Sequence, residues 1–150
     1  MTNPVTETAA APPALAAEHF AGKLAFEADC ADVHAALGAG DPGFVLLEAR
    51  GPAAYARGHV PGAFNLPHRV ITEEALAAWP RDTLFVVYCA GPHCNGADRA
   101  ALRLARLGRR VKTMPGGMSG WVAEGFPVAT GGAPGSLPAA GLAAAVAGSR

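Results

Sequence analysis

The chain has 150 residues, 51% of them apolar, which suits one domain of ordinary size with its own hydrophobic core but not two. Twelve basic side chains balance twelve acidic ones, so the sequence lacks the positive field that binders of nucleic acids or anionic membranes use. No apolar stretch is long enough to span a bilayer, and no basic residue precedes Lys23 as in a secretory signal. We therefore expect a cytoplasmic protein without nucleic-acid or membrane partners, whose oligomeric state the sequence does not predict.

Both ends of the chain have the composition of tails. Residues 1–22 carry a Pro-Pro pair and no sustained periodicity, which predicts a flexible leader with one short helical turn near residues 16–20. Residues 130–150 mix Gly, Pro and Ala and are predicted to form a second tail. The folded domain is therefore expected over residues 23–129.

Between the tails, short apolar runs alternate with longer helical patterns. The runs predict buried strands at 44–47, 84–89 and 111–114, and weaker strands at 24–27 and 63–66. Helices are expected at 32–37, 52–57, 72–79, 96–107 and 118–124. This alternation is typical of an α/β domain with a parallel sheet that helices cover on both faces.

The strongest functional signal lies where the strand at 84–89 ends in Cys89 and a loop leads into the helix at 96. Ligands of parallel sheets bind at the carboxyl ends of strands, and the amides of a helix N-terminus stabilise anions and thiolates. We therefore expect a lowered pKa for Cys89. The expected anion-binding loop consists of Ala90, Gly91, Pro92, His93, Cys94, Asn95, Gly96 and Ala97. The alternative is that Cys89 is a small apolar residue that closes a buried strand.

Three segments resemble the rhodanese-like domain family over roughly residues 24–128: VLLEARGPAAYARGHVPGAFNLP, VVYCAGPHCNGADRAALRLARLG and MPGGMSGWVAEGFPV. The resemblance implies a central five-stranded parallel sheet with helices on both faces and a sulfurtransferase whose nucleophile is Cys89. In this family the thiolate takes sulfane sulfur from a small anionic donor such as thiosulfate. The persulfide then passes that sulfur to a thiol or a cyanide-like acceptor. No cofactor is implied.

The active-site loop departs from the family pattern. It is about two residues longer than usual, and it carries no charge apart from His93, where the family has a basic residue. Arg99 is a candidate substitute from the first turn of the next helix, although ordinary solvation explains it equally well. His93 either favours the thiolate and binds the donor or faces solvent. Efficient turnover of thiosulfate is therefore in doubt.

Cys94 follows Cys89 by five positions and has three interpretations. It is a resolving thiol that attacks a Cys89 persulfide, or it packs beneath the loop. The interval from Cys94 to Arg99 also matches the cysteine-to-arginine interval of the family, which would make Cys94 the nucleophile. That register leaves no strand ending at the nucleophile.

Two further residues, Glu48 and Arg50, end a strand at the position where the family usually has Asp and Arg. They lie two apart and so share one face. We favour a structural ion pair for Glu48, whereas Arg50 can also support the site. The cysteines and histidines do not form a ligand set for a metal, because Cys89, His93 and Cys94 lack a fourth ligand.

The sequence thus predicts a sulfurtransferase, with two rivals. The first is a phosphatase or arsenate reductase of the same superfold, which the longer loop favours and the missing Arg clamp opposes. The second is a binding or redox-sensing module without catalysis, in which Cys89 and Cys94 form a disulfide. The sequence does not name the physiological donor or acceptor.

Overall fold

The computed structural model describes residues 3–137 and contains a four-stranded parallel sheet. The strands are β1 (Val45–Glu48), β2 (Phe64–Asn65), β3 (Leu84–Tyr88) and β4 (Arg110–Thr113). Their order across the sheet is β2-β1-β3-β4, so β3 is central and its carboxyl end lies between those of β1 and β4. This order places the end of β3 where ligands of open parallel sheets bind.

Helices cover both faces of the sheet, as the sequence predicts. They are α1 (Pro13–Phe26), α2 (Cys30–Gly38), α3 (Pro52–Arg57), α4 (Gly96–Arg106) and α5 (Gly117–Ala123), with a short 3-10 turn at His68–Val70. Within residues 3–137, none of these helices has the length and apolar character needed to cross a membrane.

The core has two halves, one on each face of the sheet. Val86 and Tyr88 of β3 pack with Trp121 of α5 and Val33 of α2, whereas Phe85 on the opposite face packs in the cluster formed with α4. Successive side chains of a strand point to opposite faces, so a continuous apolar run supplies both halves. The predicted α/β class with helices on both faces is therefore confirmed.

The fifth strand expected from the resemblance is not present in the described part of the chain. The weak strand predicted at 24–27 is wrong, because α1 continues to Phe26 and only Glu27 forms a single parallel bridge, with Thr113. Residues 13–26 are rich in alanine and begin with a proline at the first helical position, two features that favour helix over strand. A helix of 14 residues thus occupies the region where a short turn was expected.

The helix predicted at 72–79 is also wrong, since these residues form irregular turns. Thr72 caps the segment by accepting the Ala75 amide at 3.1 Å, but the bonds that follow are mostly of the shorter i to i+3 kind. The Arg109 guanidinium donates to the carbonyl oxygens of Leu76 and Pro80, at 3.1 and 2.7 Å, which holds these carbonyls away from a regular helix.

The last residue of the predicted domain and the start of the predicted C-terminal tail both pack against His59. Ala129 pairs with His59 as an antiparallel bridge, and both ring nitrogens of His59 lie within 3.0 Å of a carbonyl oxygen, those of Tyr55 and Pro134. His59 is fully buried and is therefore structural. The remainder of the tail, residues 138–150, lies outside the described residues.

Candidate active site

Cys89 follows β3 directly and is only 6% exposed. Its backbone carbonyl accepts a hydrogen bond from the amide of Met118 at 2.9 Å, and the carbonyl of Ala90 accepts one from Ser119 at 2.9 Å. Both donors lie in the first turn of α5, where helical amides have no partner within the helix. The start of α5 therefore fixes the backbone on which Cys89 is mounted.

This contact between α5 and the loop requires glycine at position 117. Gly117 has a φ of 60°, in the left-handed region, and a Cβ there would lie 2.6 Å from the Cys89 carbonyl oxygen. Gly117 therefore allows the chain to come close to the active-site loop.

The two loop thiols face each other. The sulfur of Cys89 lies 2.6 Å from that of Cys94, closer than van der Waals contact, and both thiols are free. The amide of Gly96 at the start of α4 donates to the Cys94 sulfur at 3.4 Å. A Cβ at Gly96 would lie 2.7 Å from the Cys89 sulfur, so this glycine leaves the space in which the thiols meet.

The lowered pKa expected for Cys89 is wrong. Burial, and then the hydrogen bond that Cys89 donates to Cys94, raise the pKa of Cys89 to about 11, against the lowering effect of the Ala90 and Gly96 amides. The pKa of Cys94 is lowered instead, because its sulfur accepts hydrogen bonds from the Cys89 thiol and the Gly96 amide. Cys94, the more exposed of the two, therefore loses its proton at a lower pH than Cys89.

Both thiols line a cavity of about 100 Å³. Besides Cys89, four of the eight residues of the predicted loop line it: Gly91, Pro92, Cys94 and Ala97. Ala90 and Gly96 take part through their backbone amides instead. Within residues 3–137, no set of three or more His, Cys, Asp or Glu side chains is arranged to hold a metal ion.

Three of the predicted polar residues point elsewhere. His93 and Asn95 are exposed and do not line the cavity. The Arg99 guanidinium is also exposed and donates to the Asn95 side chain at 3.2 Å, so it does not replace the missing basic residue of the loop. Arg99 is therefore a solvated surface residue, which was the alternative prediction for it.

Glu48 and Arg50 form the ion pair expected from their spacing. A nitrogen of Arg50 lies 2.6 Å from a carboxylate oxygen of Glu48 and 2.6 Å from the carbonyl oxygen of Gly58. Glu48 is fully buried. Burial, and then the charge of Glu48, raise the pKa of Tyr88, whose hydroxyl accepts a hydrogen bond from the Val60 amide at 2.9 Å. Arg50 therefore fixes the loop after β1, although its charge also helps to lower the pKa of Cys94.

Sequence analysis missed the other half of the cavity wall. Its members come from the end of α1, the first turn of α4 and the end of β4: Glu27, Asp98, Thr113, Met114 and Pro115. Because β4 is the neighbour of β3, the rule that sites form at the carboxyl ends of adjacent strands points to residues 113–115. Glu27 and Asp98 have no comparable signal, because their placement depends on how α1 and α4 pack.

Residues 29–124 match the sequence model of the family described as Rhodanese-like domain. This is more than half of the chain, and the chain belongs to that family, which includes sulfurtransferases.

The chain is similar to proteins of several kinds. Over 84 residues the chain is 39% identical to the HTH-type transcriptional regulator Rv0324 of Mycobacterium tuberculosis, covering 55% of this chain and 36% of that protein. The BH2092 protein from Bacillus halodurans is 34% identical with a TM-score of 0.77, over 81% of this chain and 88% of that one. A thiosulfate sulfurtransferase from Pseudomonas aeruginosa shares the fold, with 22% identity and a TM-score of 0.63, over 79% of this chain and 22% of that one.

Proposed function

We propose that this domain is a sulfurtransferase that carries sulfane sulfur as a persulfide on Cys89 and uses Cys94 as its partner thiol. The observation that carries the proposal is the pair of free sulfurs 2.6 Å apart in a cavity at the carboxyl end of the central strand. A nucleophilic thiol needs a nearby base and an environment that stabilises its anion. Here Cys94 is the base, and the amides of Ala90 and Gly96 favour the thiolate of Cys89.

In the first step the Cys94 thiolate accepts the proton of the Cys89 thiol as the Cys89 sulfur attacks the sulfane sulfur of the donor. The bond between the sulfane sulfur and the rest of the donor breaks, and its electron pair leaves with the departing group. Cys89 then carries one additional sulfur. The 6% exposure of Cys89 shields this persulfide from solvent.

In the second step the outer sulfur has two exits. An external thiophile attacks it, which returns the Cys89 thiolate and completes transfer. Alternatively, Cys94 loses its proton and attacks the inner sulfur of the persulfide, which releases hydrosulfide and leaves a disulfide between the two cysteines. In that exit the dithiol is oxidised and the sulfane sulfur is reduced, so a thiol reductant must restore the enzyme.

The test is intact-mass measurement after incubation with a sulfur donor, using thiosulfate and, separately, an aminoethyl hydropersulfide. Cys94→Ser lacks the resolving thiol and is expected to retain a gain of about 32 Da on Cys89. The wild type is expected to release sulfide and lose about 2 Da as it forms the disulfide. Cys89→Ser is expected to gain no sulfur.

Cys30 provides the matched control, because it is as buried as Cys89 but packs beneath α5, with its sulfur 3.8 Å from the carbonyl oxygen of Gly117. Cys30→Ala is expected to load sulfur as the wild type does. An adduct that persists in Cys89→Ser and disappears in Cys94→Ser would assign the nucleophile to Cys94. No adduct in any variant with either donor would reject the sulfurtransferase.

A thiol-based redox module is the second candidate, because the same sulfur pair is placed to form a disulfide without any sulfur donor. The Cys94 thiolate attacks one oxygen of hydrogen peroxide and becomes a sulfenic acid, while the other oxygen leaves as hydroxide. The Cys89 thiol then attacks the Cys94 sulfur, which releases water and forms the disulfide. Disulfide formation with peroxide, together with failure to load sulfur, would favour this candidate. A phosphatase is disfavoured because none of the described residues that line the cavity is basic.

A further inference from the structure

The wall of the thiol cavity carries charge of one sign. Of the residues that line it, Glu27 and Asp98 are ionisable carboxyl groups, and the described lining contains no lysine, arginine or histidine. Anionic sulfur donors require cationic or amide groups to replace their hydration. The charged side chains of this cavity therefore oppose the dianion thiosulfate.

The cations nearest to this wall each have a partner, and for Lys23 that partner is the wall residue Glu27. Lys23 forms an ion pair with Glu27 at 3.3 Å, and the Lys112 ammonium donates to the carbonyl of Leu24 at 3.1 Å. Arg50 is bonded to Glu48 and to the carbonyl of Gly58. Among the described residues Asp98 forms no ion pair, so its negative charge is not neutralised by a contact.

The same carboxyl groups face the wider space outside the cavity. Glu27, Asp98 and Thr113 also line a groove of about 910 Å³ that lies between α1 and α4. The groove also carries the cations Lys23, Arg109 and Lys112, so its charge is mixed. The acidic character is therefore confined to the small cavity beside the thiols, where it acts on the bound reagent.

We infer that Glu27 and Asp98 are specificity-determining residues that select a sulfane-sulfur donor with a neutral or cationic body, such as an aminoalkyl hydropersulfide, over thiosulfate. The inference rests on the proposed function, since it names the substrate class of the same site. In the transfer from such a donor, the Cys89 sulfur attacks the terminal sulfur, the sulfur–sulfur bond breaks, and the aminoalkyl thiolate leaves. Asp98 contributes more than Glu27, because Lys23 partly neutralises Glu27.

The test uses three methanethiosulfonates that differ in charge: aminoethyl, methyl and sulfonatoethyl. Each transfers its alkylthio group to a thiolate and releases methanesulfinate, so the leaving group is constant. The rate at which the peptide holding Cys89 and Cys94 loses free thiol is measured at low salt and divided by the rate for 2-mercaptoethanol. One carboxylate about 4 Å away changes such a rate by about fivefold in water.

We divide the normalised rate for the aminoethyl reagent by the normalised rate for the sulfonatoethyl reagent. We expect this ratio to be about 10, and to fall toward 1 as salt screens the carboxylates. Asp98→Asn is expected to lower the ratio about threefold, and Glu27→Gln less. Glu74→Gln is the matched control, because Glu74 is an exposed carboxylate in the irregular segment and does not line the cavity. It should leave the ratio unchanged.

A ratio that favours the anionic reagent, or one that Asp98→Asn leaves unchanged, would overturn the inference. These outcomes are separable from failure of the proposed function, since the reagents need only a reactive thiol and not a stable persulfide. Charge selection without sulfur loading would reject the sulfurtransferase alone. Sulfur loading that is as fast from thiosulfate as from the aminoethyl hydropersulfide would reject the charge selection alone.

Discussion

The loops after β1 and β3 lie next to each other at one edge of the sheet, but they use their functional groups in opposite ways. After β1, one nitrogen of Arg50 binds both the Glu48 carboxylate and the Gly58 carbonyl oxygen. After β3, Cys89 and Cys94 have only each other and a few backbone amides. In the first loop the charged side chains stabilise the loop conformation. In the second loop backbone hydrogen bonds do so, and the thiol side chains remain free to react.

The largest effect is expected when the first loop loses its buried charge pair. Glu48→Ala leaves the Arg50 guanidinium, which is 19% exposed, without its carboxylate, so the free energy of unfolding should fall by about 3–5 kcal/mol. Urea unfolding measures this loss. Glu73→Ala, which breaks the exposed pair with Arg81, should change stability by no more than about 0.5 kcal/mol. Equal effects would mean that burial does not distinguish the two pairs.

The second comparison removes the space between the thiols. Gly96→Ala would place a Cβ 2.7 Å from the Cys89 sulfur, so we expect a loss of about 1–3 kcal/mol of stability and at least a tenfold slower formation of the disulfide with peroxide. Gly38→Ala is the control, because no atom lies within 4 Å of its Cβ position. It should be neutral or stabilising by about 0.4–1 kcal/mol. Disulfide formation at the wild-type rate in Gly96→Ala would contradict the observed placement of the sulfurs.

The pH dependence of alkylation separates the two thiols. Only the thiolate reacts with iodoacetamide, so a lowered pKa moves the rise in rate to lower pH and a raised one to higher pH. We expect a first rise below pH 9.0 from Cys94 and a second toward pH 11 from Cys89. Cys94→Ser should abolish the first rise and leave Cys89 above 9.0, since burial is the largest cause of its shift. A rise below 9.0 that survives this substitution would assign the resting thiolate to Cys89.

The smallest effect is expected for the basic residue nearest to the loop in sequence. Arg99→Ala removes an exposed guanidinium whose hydrogen-bond partner among residues 3–137 is the Asn95 side chain. We expect less than a twofold change in the rate of sulfur loading and a change in stability within about 0.5 kcal/mol. A large loss of loading from thiosulfate would show that Arg99 reaches the donor.

The sequence was informative where one local pattern decides the structure. The continuous apolar run of β3 and the 3.6-residue period of α4 placed Cys89 and Gly96 correctly at the two ends of the loop. The helix predicted at 72–79 was wrong because Arg109, some 30 positions away, donates hydrogen bonds to carbonyl oxygens of this segment. The strand predicted at 24–27 was wrong because the helix propensity of residues 13–26 outweighed the apolar run near Phe26.

The chemistry of the site was less predictable than its position. A helix N-terminus after Cys89 favours a lowered pKa, and this rule does not include burial or the competing Cys94 sulfur. Both depend on how the loop folds back, with the Cys94 amide bonded to the Gly91 carbonyl at 3.0 Å. The carboxylates of Glu27 and Asp98 approach the thiols only through tertiary packing, so no spacing in the sequence reveals them.

The bonds from the first turn of α5 to the Cys89 and Ala90 carbonyls also bear on how tightly a substrate binds. When a ligand has to order a loop, its binding free energy is weakened by about 1–2 kcal/mol of backbone entropy for each residue that becomes fixed. In this protein the backbone of Cys89 and Ala90 is already ordered in the folded state. A donor therefore binds without losing free energy to ordering these residues.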